Sequence, residues 1–192
     1  MQKDNFIQAL NKAKSYGIGE YLEILGELSQ ESNKQGEISR KIKELITLGI
    51  ALSKQCQRCI NIHQTDAKKL GASSEELHLV QRIALFIAAS PKDDNHGLWQ
   101  AWLTSWREFC LSQGQIKHHH RDLIGLGIAL IQQNHTRIDM HIKEILNFGG
   151  NVQEIFEVVP LALLMDGAPA LSQIPHVVAA VEQYATVYDK VA

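Results

Sequence analysis

The sequence predicts an all-α protein built from two tandem copies of one helical unit. Three observations carry that reading. Apolar residues recur at three- and four-residue spacing along most of the chain, the signature of amphipathic helices. No segment alternates as a half-buried strand would. And Glu44–Leu52 (ELITLGIAL) returns as Asp122–Leu130 (DLIGLGIAL), at an offset of 78. The match continues without gaps: His63 falls on His141, Gly71 on Gly149, Glu76 on Glu154 and Pro91 on Pro169. About a dozen of roughly three dozen positions are identical, which marks a duplicated unit.

Taken in order, Asn5–Tyr16 has helical spacing in Phe6, Leu10 and Ala13, and Gly17 stops it. Glu20–Gln30 repeats the pattern, and the polar run Glu31–Glu37 reads as a loop. Ile38 to about Ser53 is a long helix with apolar positions at Ile42, Leu45, Ile46, Leu48 and Leu52. A second helix runs from Gln57 to Leu70, ended by Gly71. Ser73-Ser74-Glu75-Glu76 has the form of a capping box, opening a helix that ends near Ser90-Pro91. Lys92–Gly97 is a loop, and Leu98–Leu111 a helix holding all three tryptophans. Further helices are expected over Ile116–Gln133, Thr136–Phe148, Val152–Met165 and from His176 onward. Gly149-Gly150 and Gly167-Ala168-Pro169 provide breaks. The organisation is therefore N-terminal helices (1–37), a first repeat (38–112) and a second repeat (113–192), all within one compact domain.

With 192 residues the chain can bury a sizeable core. A formal net charge of −2 gives no electrostatic reason to expect a nucleic acid or an anionic membrane as partner. The N-terminus lacks the apolar core of a secretory signal, and no apolar run reaches the roughly 18–20 residues of a membrane span. The expected compartment is the cytoplasm, where a C-x-x-C pair is redox-active or metal-binding more often than structural.

That pair is Cys56-Gln57-Arg58-Cys59. Cys56, Cys59, Ile60, His63, Ala67 and Leu70 share one face of a helix, so thiols and imidazole point inward together. Cys56 lies near the helix start, where unpaired N–H groups and the macrodipole favour a thiolate. A chain reversal near Ser53–Gln55 would fold the preceding helix back, bringing Glu44 level with His63, each about 12–14 Å from the turn. Acid, imidazole and thiol would then stand in the order in which a carboxylate orients a base that activates a nucleophile. The second repeat has Asn134 and Arg137 where the first has Cys56 and Cys59, so it cannot perform dithiol chemistry.

Glu44, twelve residues ahead of C-x-x-C, with His63 four residues after it, resembles the thiol-dependent alkylhydroperoxidase (AhpD-like) branch of the carboxymuconolactone decarboxylase family. The resemblance implies an all-helical fold with one active and one degenerate half. It implies that Glu44, His63 and a water deprotonate Cys59, that Cys59 attacks a hydroperoxide, and that Cys56 closes a Cys56–Cys59 disulfide. No bound cofactor is expected. An external dithiol resets the pair, such as a lipoyl protein or a thioredoxin-like protein. A homo-oligomer is implied too, a trimer of pseudo-hexameric symmetry, since single-copy members form hexamers. Two departures stand out. The AhpD-like pattern has a second histidine just before its second cysteine, where this chain has Arg58; and its active half comes later in the chain, whereas here it comes first.

Three other readings compete. Cys56, Cys59 and His63 could ligate a metal, with Glu44 or one of His118, His119 and His120 as fourth ligand. The pair could be a redox sensor without turnover. A lactone decarboxylase of the same family would need no cysteine pair. The His118–His120 run points in three directions on a helix, and the sequence assigns it to the surface. Cys110 is an unpaired third thiol with no assigned role.

Overall fold

The computed structural model describes residues 2–91 and 96–188. Among the described residues every regular element is a helix: α1 Gln2–Ala13, α2 Gly19–Ser32, α3 Arg40–Ser53, α4 Gln57–Lys69, α5 Ser74–Ala88, α6 His96–Leu111, α7 His118–Ile131, α8 His135–Asn147, α9 Val152–Asp166, α10 Ala168–Leu171 and α11 Ile174–Tyr188. No described helix is long and apolar enough to cross a membrane.

Several boundaries differ from the sequence expectation. Gly17 does not end the first helix cleanly: a π-turn at Lys14–Ile18, with Gly17 at φ +97°, joins α1 to α2. Helix α2 runs on through Ser32, consuming the start of the expected loop. Ile116 is buried but precedes α7, which begins at His118. Gly167-Ala168-Pro169 is a break followed at once by the single turn α10, because proline is well placed in a first helical turn. Most of the expected Lys92–Gly97 loop lies outside the described residues, and Gly97 itself is helical.

Helices α3 and α7 form the centre. Residues 42–51 of α3 and 121–130 of α7 are buried without interruption. They pack on each other at paired glycines. A Cβ on Gly49 would stand 2.6 Å from Ile124 Cγ2, and one on Gly127 would stand 3.0 Å from Ile50 Cδ1. The remaining core forms around this crossing, with α5 and α9 against both central helices.

The duplication persists to the level of single turns. Gln55 and Gln133 both take the left-handed conformation, at φ 54° and 53°. Each closes a Schellman motif: Cys56 N–H donates to Ala51 C=O (3.1 Å) and Asn134 N–H to Ala129 C=O (3.2 Å). Ser73–Glu76 and Asn151–Glu154 both form complete capping boxes.

Candidate functional site

The reversal at Gln55 turns α4 back along α3, and the two helices pack side by side. Cys56 is the N-cap of α4, its Sγ accepting from Cys59 N–H at 3.4 Å. Cys56 and Cys59 are joined in a disulfide, with Cα atoms 5.3 Å apart, and both are half-buried. One turn further along, His63 Nδ1 donates to Glu44 Oε2 at 2.8 Å. An ionised Glu44 keeps the imidazole proton on Nδ1, leaving Nε2 as the basic nitrogen. Side chains four apart on a helix are neighbours, so His63 and Cys59 stand one above the other.

A cleft of about 490 Å³ opens onto this dyad, lined by Glu44, Ile62, His63 and Asp66 and, across from them, by Ser29, Gln30, Asn33, Lys34, Gln35 and Arg40. The second group comes from the end of α2, the loop after it and the first residue of α3, a region to which the sequence assigned no part in the site. That loop is pinned by the other half of the molecule. Glu157 of α9 accepts from the N–H groups of Glu37 (2.8 Å) and Ile38 (3.2 Å) and pairs with Lys43 at 2.9 Å. Burial alone would raise the Glu157 carboxyl, but Lys43 and these two N–H groups outweigh it and hold it below the usual range. Lys43 also donates to Lys34 C=O at 2.7 Å. No local sequence signal links residue 157 to residue 37; only tertiary packing does.

Arg58, which replaces the expected histidine, turns outward. Its guanidinium lies 3.4 Å from the centroid of the Phe6 ring, a cation–π contact with α1. The outer side of α4 is a shallow cleft of about 730 Å³ lined by polar residues including Gln57, Arg58, Asn61 and Lys69.

The equivalent group in the second half has the same geometry and a different environment. His141 Nδ1 meets Asp122 Oδ1 at 2.8 Å. The Asp122 and His141 side chains are 1% and 0% exposed, against 11% and 13% for Glu44 and His63. Asn134 caps α8 as Cys56 caps α4, its side chain accepting from Arg137 N–H at 3.0 Å.

A model of the carboxymuconolactone decarboxylase family matches the chain twice, over residues 19–95 and 97–182. The chain belongs to that family. Neither the curated proteins nor the solved structures compared with it include a match. The two family segments begin 78 residues apart, so α2 corresponds to α6 and Leu28 to Trp106. Trp106 is the residue that seals the second dyad: its Nε1–H donates to Asp122 Oδ1 at 3.0 Å, and its ring meets His141 edge-on at 5.3 Å. Leu28 is shorter and has no donor, and beside it Ser29 and Gln30 line the open cleft.

One expectation is corrected. His118, His119 and His120 do not form a surface run: all three are half-buried, and His119 and His120 both turn to Glu154 on α9. They therefore do not complete a site with the cysteines and His63. Cys110 is buried at 2% exposure, and burial first, with nearby Asp122, pushes its thiol far above the ordinary range.

Proposed function

We propose that the protein is a thiol-dependent peroxidase that reduces hydroperoxides through Cys56 and Cys59. One observation supports this above the others. A carboxylate–imidazole hydrogen bond, open to a cleft, lies one helical turn from a bonded C-x-x-C pair.

The cycle starts from the dithiol. His63 Nε2, through a water, takes the Cys59 proton, and Glu44 holds the resulting imidazolium. The Cys59 thiolate attacks the distal peroxide oxygen; the O–O bond breaks, giving a Cys59 sulfenic acid and an alcohol once the leaving alkoxide takes the proton. Cys56 then attacks the sulfenate sulfur, releasing water and forming the disulfide. An external dithiol, of the lipoyl or thioredoxin-like kind, restores both thiols by exchange and leaves as its own disulfide. The cap N–H at Cys56 Sγ suits that last step, because a stabilised thiolate is the better leaving group. No bound cofactor enters the cycle. We place the reaction in a reducing compartment such as the cytoplasm, where donors of this kind keep thiols reduced. In our reading the exposed Tyr16, Tyr21, Ile24 and Leu25 on the N-terminal helices supply surface for a trimer; light scattering in solution tests this.

The deciding experiment counts free thiols in the reduced protein before and after one equivalent of alkyl hydroperoxide, then follows turnover with dihydrolipoamide. Loss of two thiols per chain and sustained turnover are expected. Loss of two thiols without turnover would identify a sensor; no loss would remove the thiol chemistry altogether.

A further inference from the structure

The other group of convergent side chains lies where α7 and α9 begin. His119 Nε2 is 3.6 Å and His120 Nε2 3.9 Å from Glu154 Oε1, and the three potential ligand atoms lie within 4.8 Å of one another. These separations exceed a hydrogen bond. An ion pair would need a charged imidazole, and burial, the largest effect on each, opposes that charge. His119 is held below its ordinary value, and His120 is pushed down to about 4, with His119, Lys117 and Lys41 adding to the effect. Glu154 Oε1 therefore faces two imidazole nitrogens, neither of them within hydrogen-bond distance.

Each side chain except His120 is also anchored from behind. Glu154 Oε2 accepts from Asn151 N–H at 3.0 Å within the capping box, which leaves Oε1 turned to the histidines. His119 lies against the backbone of Phe148. Such outer contacts are what orient ligating side chains in metal sites.

The first half provides the reference. Glu76 corresponds to Glu154 and stands in the same capping box, and its Oε1 pairs with Lys41 Nζ at 2.8 Å. At the position matching Lys41 the second half has His119, and at the position matching Ile42 it has His120. One carboxylate oxygen has a cation supplied by the chain. The other faces two imidazole nitrogens at 3.6 and 3.9 Å.

We propose that His119, His120 and Glu154 bind a divalent zinc ion that ties the start of α7 to the start of α9. Two imidazole nitrogens and one carboxylate oxygen form a known zinc ligand set, with a fourth position left to water. At metal–ligand distances of about 2.0–2.2 Å, ligand atoms on tetrahedral zinc lie about 3.3 Å apart. Shifts of about 0.5 Å in His119 and His120 against Glu154 reach that value, and the two imidazole nitrogens, within 4.8 Å of each other, close by at most about 1.5 Å through side-chain rotation. Lys41 and Lys117 add positive charge nearby. That charge opposes any dication, and it is the donor set, two nitrogens to one carboxylate, that disfavours calcium and magnesium, which need many oxygen ligands, and favours a transition metal held by directed nitrogen bonds. The site stands apart from the thiol chemistry and does not depend on it.

The test uses untagged, chelator-treated protein with the Cys56–Cys59 disulfide intact, so that those sulfurs offer no thiolate. Calorimetric titration with zinc chloride should give one ion per chain, and added zinc should raise the melting temperature, since an ion bound only by the folded state stabilises it. His120→Ala and Glu154→Gln should each weaken binding by more than about 10-fold, as loss of a ligand exceeds loss of an outer-shell partner. Glutamine keeps the capping acceptor, so that variant separates ligation from folding. His118 packs edge-on against Phe148 instead, and His118→Ala should bind as the parent does. Absence of saturable binding would overturn the proposal, as would unchanged binding in Glu154→Gln. A loss in His118→Ala equal to that in His120→Ala would do the same, by pointing to a histidine run acting without a built site.

Discussion

The two halves place the same pair, a carboxylate hydrogen-bonded to the Nδ1 of a histidine nineteen residues later, on the same pair of antiparallel helices with the same 2.8 Å separation. One pair faces a cleft and the other is sealed. The difference comes from the neighbours. Trp106 closes over the second dyad, whereas the first faces a cleft whose far side includes Ser29 and Gln30. Gly125 lets the His141 ring lie against α7, where a Cβ would come within 2.2 Å of it; the matching residue in α3 is Thr47, whose hydroxyl donates to Lys43 C=O at 2.8 Å. Inside the sealed pair, Asp122 Oδ2 and His141 Nε2 have no hydrogen-bond partner. An imidazole nitrogen that no solvent reaches cannot exchange protons with a substrate. The second dyad is thus confined to a structural part, and the same half has Asn134 and Arg137 in place of the two thiols.

This contrast can be broken in several places. The largest effect belongs to the sulfurs: Cys59→Ser should abolish peroxide reduction, while Cys56→Ser should trap a sulfenate on Cys59, detectable with a dimedone-type probe and mass spectrometry. Retained turnover in Cys59→Ser would reverse the assignment of the nucleophile. Next come the histidines. His141→Ala leaves the buried Asp122 with Trp106 as its remaining donor and should cost about 3–5 kcal/mol of stability, whereas His63→Ala leaves Glu44 beside a cleft from which water can replace the lost hydrogen bond and should cost less, about 1–2 kcal/mol. Urea denaturation of both variants measures the gap, and equal losses would contradict the division into an open and a sealed site.

Smaller effects sharpen the picture. Gly125→Ala should destabilise by about 1–3 kcal/mol through overpacking against His141, even though alanine favours a helix by nearly 1 kcal/mol over glycine; a more stable variant would mean the ring yields easily. Glu44→Gln should raise the pH at which the reduced pair is alkylated, since a neutral amide no longer supports the imidazolium, and should move the melting temperature little. A profile of alkylation rate against pH that matches the parent would take Glu44 out of the relay. Smallest of all, Cys110 should resist iodoacetamide at pH 8 in the native protein and react only in denaturant, because burial keeps its thiol protonated.

Much of this was legible in the chain itself. Helical periodicity, the 78-residue repeat and the capping box at Ser73 are local signals, and each maps onto an observed element. The pairing of Glu44 with His63 also followed from local geometry. A reversal at a known place on helices of fixed rise leaves little choice about which residues meet. What failed was reasoning about faces near helix starts. His119 and His120 looked exposed because the side that packs in the first turn of a helix depends on what lies across from it, here α9.

The sequence by itself determined that this is a duplicated helical protein of the carboxymuconolactone decarboxylase family with its cysteine pair in the first copy, because spacing along a helix encodes which side chains share a face. Tertiary structure alone decided which dyad meets solvent, how Glu157 holds the rim of the cleft, where Arg58 points, and that two histidines converge on Glu154. Those outcomes depend on contacts between residues up to 120 positions apart, and such contacts arise from packing of whole helices against one another, which no local run of residues encodes.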